Sequence, residues 1–350
     1  MSEELIPPLE KRFTAEDYEG SVPTFVATFR RWLRLRNSLA IEKILRLLLT
    51  RASVWARWKP NAVARPLLQN SFPINPLASS RELPHIELIV PFVEKDIDVL
   101  AHCVRSAVSN IRNPLSRIRL VTPAGPDAFK PNFSSVESTA TLKKILAEHP
   151  NSSIEFDQNL LGEKSLESLR KSGAKSWDIQ QMIKFAAVLT SESDACLILD
   201  SDTVLLAEKT WFLDSKKQLL QVANEYEERY MPLIREYFGL QKQFPMSFVT
   251  HHQLMQKDVV QEMFPDGISS LTDWWETSRR ISGSHLSEFE SYGSYLLERH
   301  PERVILGSWC NLLSPHFAKF NQLLTQRGTS PSSLINDYCS VSFHAQTQQG

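Results

Sequence analysis

The sequence predicts an α/β fold in which a mostly parallel sheet is flanked by helices and preceded by a helical N-terminal extension. Three observations carry that expectation. From His85 onward, short apolar runs suited to buried strands alternate with segments of helical spacing. A proline-rich stretch separates this series from a basic N-terminal region. At 350 residues, with 42% hydrophobic and 23% charged, the chain can bury the core of one large domain with an appendage.

The elements follow in order. His85 to Phe92 (HIELIVPF) is a short apolar run suited to a buried strand, and Asp96 to Asn110 then takes helical spacing through Leu100, Val104 and Val108. Arg117 to Thr122 (RIRLVT) and Ser153 to Phe156 read as further strands, Trp177 to Thr190 as a helix, and Ala195 to Leu199 as another buried strand. Met246 to Thr250 (MSFVT) reads as an apolar strand that leads into His251 and His252, whose side chains should point to opposite faces. Strands alternating with helices imply a parallel sheet covered on both faces, and such sheets bind ligands beyond the carboxyl ends of their strands.

Three regions precede or make up this series: a basic helical extension at 1–59, a linker at 60–84 and a catalytic domain at 85–350. Between Arg30 and Lys59 there are nine Lys and Arg against the single acid Glu42, although the net charge of the whole chain is only −1. Within 22–59, Phe25, Phe29, Trp32, Leu33, Leu35, Leu39, Ile44, Leu45 and Leu48 alternate with Arg at nearly helical spacing, and Trp55 and Trp58 follow. Two readings fit: a helix lying on an anionic membrane surface, or an extension packed on the following domain. Pro60, Pro66, Pro73, Pro76 and Pro84 interrupt regular structure and mark the linker.

Composition excludes several classes. Basic charge concentrated in one segment, rather than spread over the folded domain, argues against nucleic-acid binding. Cys103, Cys196, Cys310 and Cys339 are widely spaced, which fits neither a zinc knuckle nor a disulfide framework. The opening Met1-Ser2-Glu3-Glu4 leads to no apolar signal core, and Glu42, Lys43 and Arg46 interrupt the best candidate for a membrane span. The expectation is a cytoplasmic protein, with peripheral contact to the inner face of the membrane through residues 22–59 as the alternative its N-terminal charge allows.

The chemistry concentrates in CLILDSDTVLL, where an apolar strand runs into Asp200 and Asp202 with Ser201 between them. Two carboxylates so close repel unless something positive lies between them, and burying either without a partner costs several kcal/mol. A divalent cation is one answer, and oxygen-only ligation suits Mg²⁺ or Mn²⁺.

Ser176 to Phe185 (SWDIQQMIKF), LILDSDTVLL, Ser247 to Gln253 (SFVTHHQ) and Ser287 to Gly293 (SEFESYG) together resemble bacterial glycosyltransferase-A-like proteins associated with surface polysaccharides, over about residues 85 to 345. The resemblance implies a Rossmann-like sheet, a nucleotide-sugar donor, a glycan or lipid-linked acceptor and a glycosyl-transfer reaction. It implies that Asp200 and Asp202 hold the ion, with His344, at the end of the strand-like SVSFHA, returning a late histidine to it. Gln180, Gln181 and Lys184, one element before the carboxylates, would reach donor hydroxyls and phosphate, along with Asp200. Glu290, or Glu288 beside it, would be the general base that deprotonates the acceptor, though acids in a first helical turn also suit the helix on their own, with Ser287 or Ser284 as cap. Trp274 and Trp275 would stack on an acceptor sugar; adjacent tryptophans also simply cover a core edge.

Two rivals remain. A haloacid-dehalogenase-type phosphatase also ends a strand in D-x-D-x-T/V, with Asp200 as nucleophile, but this chain has no Gly-Asp dipeptide and its D-x-D follows a complete βαβ series. The other is a catalytically inactive protein that binds a glycan or a membrane.

Overall fold

In a computed structural model, the described residues are 82–124, 133, 135–223, 227–242, 247–309, 311–313 and 338–343. The N-terminal extension, nearly all of the linker and His344 lie outside them. Among the described residues no helix is long and apolar enough to cross a membrane.

The central sheet has five strands: β1 (Ile86–Pro91), β2 (Leu115–Thr122), β3 (Ser152–Phe156), β4 (Ala195–Leu199) and β7 (His252–Gln256), in the order β3-β2-β1-β4-β7. The first four run parallel, and β7 pairs antiparallel with β4. This is the mostly parallel α/β sheet that the alternation of strands and helices predicts. Every residue of β1 and β4 is buried, as expected of strands covered on both faces. Alternation divides their side chains between two cores. Ile86, Leu88, Val90, Ala195, Leu197 and Leu199 face one; Ile89, Cys196 and Ile198 face the other.

The first core is covered by α1 (Ile97–Asn110) and α2 (Val136–Glu148). The second receives α5 (Ser176–Leu189), preceded in the chain by the short helices α3 (Asp157–Leu161) and α4 (Glu163–Lys171). It also receives α6 (Met231–Phe238), α7 (Lys257–Met263), α8 (Ile268–Arg280) and α9 (Glu288–Arg299). Two small sheets flank the large one. β5 (Thr203–Leu205), β10 (Ser340–Ser342) and β9 (Asn311–Leu313) form one; β6 (Gln218–Val222) and β8 (Val304–Ser308) form the other.

The carboxyl end of α5 is tied to the sheet by a buried ion pair. Arg119 on β2 binds Glu87 on β1 through two parallel bonds of 2.9 and 3.0 Å, then donates to the Ala187 carbonyl at 2.7 Å and to Thr190 Oγ1 at 3.0 Å. The guanidinium thus serves the Ala187 carbonyl in the last turn of the helix, which also accepts from Thr190 Oγ1 at 3.2 Å. Further along the chain, residues 247–250 of the expected strand form only an isolated bridge at Ser247. The strand begins at His252 instead, because Ser247 bridges to Ala223 and the Phe248 N–H is drawn to Glu290 Oε2 at 3.0 Å. His251, in the left-handed region at φ 62°, turns the chain from this irregular stretch into β7.

Candidate functional site

The strand order fixes where a ligand can sit. The chain builds β1, β2 and β3 outward in one direction, then returns to place β4 on the other side of β1, so the switch point lies between the carboxyl ends of β1 and β4. Asp200 directly follows β4 there. Its N–H donates to the His251 carbonyl at 2.9 Å, and its carbonyl accepts from Thr203 N–H at 3.0 Å, closing the turn into β5. Asp202 is anchored through its carbonyl, which accepts from the Phe343 N–H at 2.9 Å. Both aspartates are partly exposed.

Ser201, between them, points the other way and donates to Asp96 Oδ2 at 2.9 Å. That bond joins the D-x-D turn to the segment after β1. In the same region a cavity of about 250 Å³ is lined by Val93, Glu94, Lys95, Thr122 and Pro123, at the ends of β1 and β2. Asp96 is a site residue that sequence reasoning missed, since it reads as the start of a helix. Burial raises its pKa, with Asp202 adding to the rise against the bond from Ser201. The Cys103 thiol beneath is raised well above its usual value, by burial first and then by Asp202, Asp200 and Asp96.

Asp200 has a protein cation at contact. Lys184 Nζ lies 2.6 Å from Asp200 Oδ1, bonds Glu288 Oε1 on its other side, and sits 4.4 Å from the centroid of the Phe289 ring. The imidazole of His251 reaches the second oxygen, with Nδ1 3.4 Å from Oδ2. Burial alone would raise the Asp200 pKa, but Lys184 and His251 outweigh it and hold the carboxyl well below the usual carboxylate range. Burial likewise opposes the Lys184 charge, and Asp200 with Glu288 reverses that and raises its pKa. For Glu288 burial wins over Lys184, so its pKa is raised.

The expected site residues thus divide. Lys184, Asp200, Glu288 and Gln181 converge, with Gln181 Oε1 accepting from the Glu288 N–H at 3.4 Å; Gln180 lies half-buried on the same helix. Lys184 is buried and engaged by two carboxylates, which leaves it unsuited to the phosphate contact expected of it. The start of α9 at Glu288 agrees with the first-turn reading, and Ser287 Oγ caps it by accepting from the Glu290 N–H at 3.2 Å.

Glu290 belongs to a different network. Only 1% exposed, it pairs with Lys242 and accepts from Phe248 N–H, from Ser247 Oγ at 3.2 Å and from Ser294 Oγ at 3.4 Å. Such a carboxylate is committed to holding Ser247 and Phe248 beside α9, an arrangement that opposes the role of general base; Glu288, paired with Lys184, is opposed in the same way. Trp274 and Trp275 are buried, and Trp274 packs edge-on against Phe185 and Phe264, so the core-edge reading is the one their placement matches. His344 follows Phe343 and lies outside the described residues.

Two buried amides stand out. Gln181 Nε2 and both amide atoms of Gln253 have no hydrogen-bond partner among the described residues. Gln253 alternates with Leu254, placing it on the face of β7 that α9 covers. Each such atom costs about 1–3 kcal/mol unless a ligand or water satisfies it. The neighbouring His252 faces away, against Trp309 and Trp211, and burial pushes its pKa down to about 3. A neutral ring donates from Nδ1 to the Thr250 carbonyl at 2.7 Å and accepts at Nε2, which requires Gln221 to turn its amide NH₂ toward it.

An all-oxygen pair at a strand end fits Mg²⁺ or Mn²⁺, which are commonly held by one or two carboxylates plus substrate phosphates. Among the described residues no group of three His, Cys, Asp or Glu side chains could hold a metal ion by itself. Further ligands would have to come from the substrate or from residues outside the described set.

Solved structures similar to this chain include three sugar transferases. Mouse xyloside xylosyltransferase 1, in its apo form, is 11% identical with a TM-score of 0.39, covering 76% of this chain and 100% of that one. The galactosyltransferase LgtC, in complex with donor and acceptor sugar analogs, is 12% identical with a TM-score of 0.41, covering 74% of this chain and 87% of that one. The bifunctional glycosyltransferase WbbM, also apo, is 10% identical with a TM-score of 0.39; the match covers 79% of this chain and about half of WbbM, 48%. No protein-family model and no curated protein matches the chain.

Proposed function

We propose that this protein is a metal-dependent glycosyltransferase of the glycosyltransferase-A type, moving a sugar from a nucleoside-diphosphate donor to a hydroxyl of a glycan or lipid-linked acceptor. The observation that carries the reading is the position of Asp200 and Asp202 at the switch point of a mostly parallel sheet, with Ser201 between them bonded to Asp96 in the segment after β1. In the reaction the bond from the sugar's anomeric carbon to the diphosphate oxygen breaks. A bond from that carbon to the acceptor oxygen forms, and the acceptor hydroxyl releases its proton to water. Asp200 and Asp202 would hold Mn²⁺ or Mg²⁺, whose charge favours departure of the diphosphate; His344 is the further ligand that the sequence resemblance offers. Lys184 and His251 keep Asp200 ionised and fixed. The free Nε2 of Gln181 and the amide of Gln253 suit the hydroxyls of the donor sugar, with Gln180 nearby.

Asp202→Ala tests the reading. It removes a partly exposed carboxylate without opening the core, so the fold should survive while Mn²⁺-dependent binding of a nucleotide sugar is lost. A thermal-shift screen of nucleotide sugars with Mn²⁺ identifies the donor, and calorimetry then compares the variant with the wild type. Wild-type affinity in Asp202→Ala, or hydrolysis of p-nitrophenyl phosphate in place of any sugar transfer, would overturn it. Flotation with anionic liposomes, with and without residues 1–65, tests the proposed peripheral membrane contact.

A further inference from the structure

We propose that Lys184 is a positioning residue that holds Asp200 against bare cations, so that the site takes up a divalent ion together with a diphosphate rather than alone. This rests on the reading that Asp200 and Asp202 are the carboxylates of the metal site.

The geometry supplies the argument. Lys184 Nζ stands 2.6 Å from Asp200 Oδ1, so a bare dication approaching that carboxylate meets a fixed positive charge at contact distance from the same group. An ion already bound to a diphosphate arrives with its charge neutralised or reversed, and the repulsion disappears. Lys184 is only 3% exposed, so water screens its charge weakly. Lys184 cannot swing aside to admit the bare ion. It is buried, gripped on its far side by Glu288, and backed by the Phe289 ring at 4.4 Å. Glu288 therefore acts on the metal site through Lys184. Asp202, one residue past Ser201, completes the pair of carboxylates.

The test titrates Mn²⁺ into the full chain by calorimetry, first alone and then with saturating UDP or GDP, for the wild type, Lys184→Met and Lys184→Met/Glu288→Gln. Lys184→Met leaves Glu288 buried without its ammonium and can fail to fold. The double variant removes both members, leaves the formal charge unchanged, and then decides the question. In either variant Mn²⁺ alone should bind about tenfold tighter or more, because the ammonium at contact with Asp200 outweighs the more distant Glu288. The gain in Mn²⁺ affinity brought by the nucleoside diphosphate should shrink by a similar factor. A purely structural lysine predicts no rise in the affinity for bare Mn²⁺, so an unchanged or weaker value in a folded variant overturns the positioning role alone. Absence of Mn²⁺ binding by the wild type, with or without either nucleotide, overturns both this role and the metal-dependent reading beneath it.

Discussion

Glu290→Ala separates a structural carboxylate from a catalytic one. The side chain is 1% exposed, and it faces a Lys242 ammonium that is itself only 8% exposed. Burial already lowers the Lys242 pKa in spite of Glu290. Removing one member of a buried pair typically costs 3–5 kcal/mol, and the Phe248 N–H that loses its acceptor adds to the same deficit. The two contributions overlap, so the expected loss is about 4 kcal/mol of unfolding free energy. Glu290→Gln keeps an acceptor oxygen and gives up only the charge, so it should cost about 2 kcal/mol. Urea unfolding followed by tryptophan fluorescence reads both, and turnover is then compared where both variants remain folded. A Glu290→Gln protein as stable as the wild type, with turnover reduced a hundredfold or more, would refute this reasoning and return Glu290 to the role of base.

Two further expectations are independent of the reaction. Gly293 lies in α9 against Phe248, and a Cβ built there would stand 2.7 Å from both Cβ and Cδ2 of that side chain, which Glu290 holds through the Phe248 backbone. Gly293→Ala should therefore lose about 1–3 kcal/mol in urea unfolding, and full stability would show that α9 shifts freely. His252 gives a pH signature. Unfolded, it takes a proton near pH 6.5; folded, only near 3, so acid favours the unfolded chain throughout that window and the stability is fully present above it. Between pH 6 and pH 4 this group should remove about 2.5 kcal/mol, a slope that His252→Gln should flatten. An unchanged slope in the variant would assign the acid sensitivity elsewhere.

The strand series and the D-x-D at the end of β4 were legible because buried strands and amphipathic helices leave periodic, local signals. Ala195–Leu199 falls where the sequence places it, and β1, β2, β3, α1 and α5 fall within one or two residues of expectation. The misplaced strand before His251 had no local signal against it, since Ser247 and Phe248 are drawn off by Glu290, about forty residues later in the chain. The same limit applies to the site. Glu288 and Asp200 lie far apart in sequence, so Lys184 reads there as a contact to donor phosphate and not as a buried cation between two carboxylates. The tryptophan pair offered two readings that only burial could separate. Asp96 entered the site through a single hydroxyl, Ser201 Oγ, which no spacing rule anticipates.

The Arg119 cluster gives the lysine its setting. Ala187, whose carbonyl Arg119 takes, is three residues beyond Lys184, a rise of about 4.5 Å along the helix. A slip of α5 by one turn would move its ammonium about 5.4 Å, more than twice the length of its bond to Asp200. The accuracy of the charged centre is thus inherited from an anchor on β2 that need never meet a substrate. Changes at Glu87 or Arg119, which break a buried pair, should therefore show as misalignment at the far end of this lever as well as in lost stability.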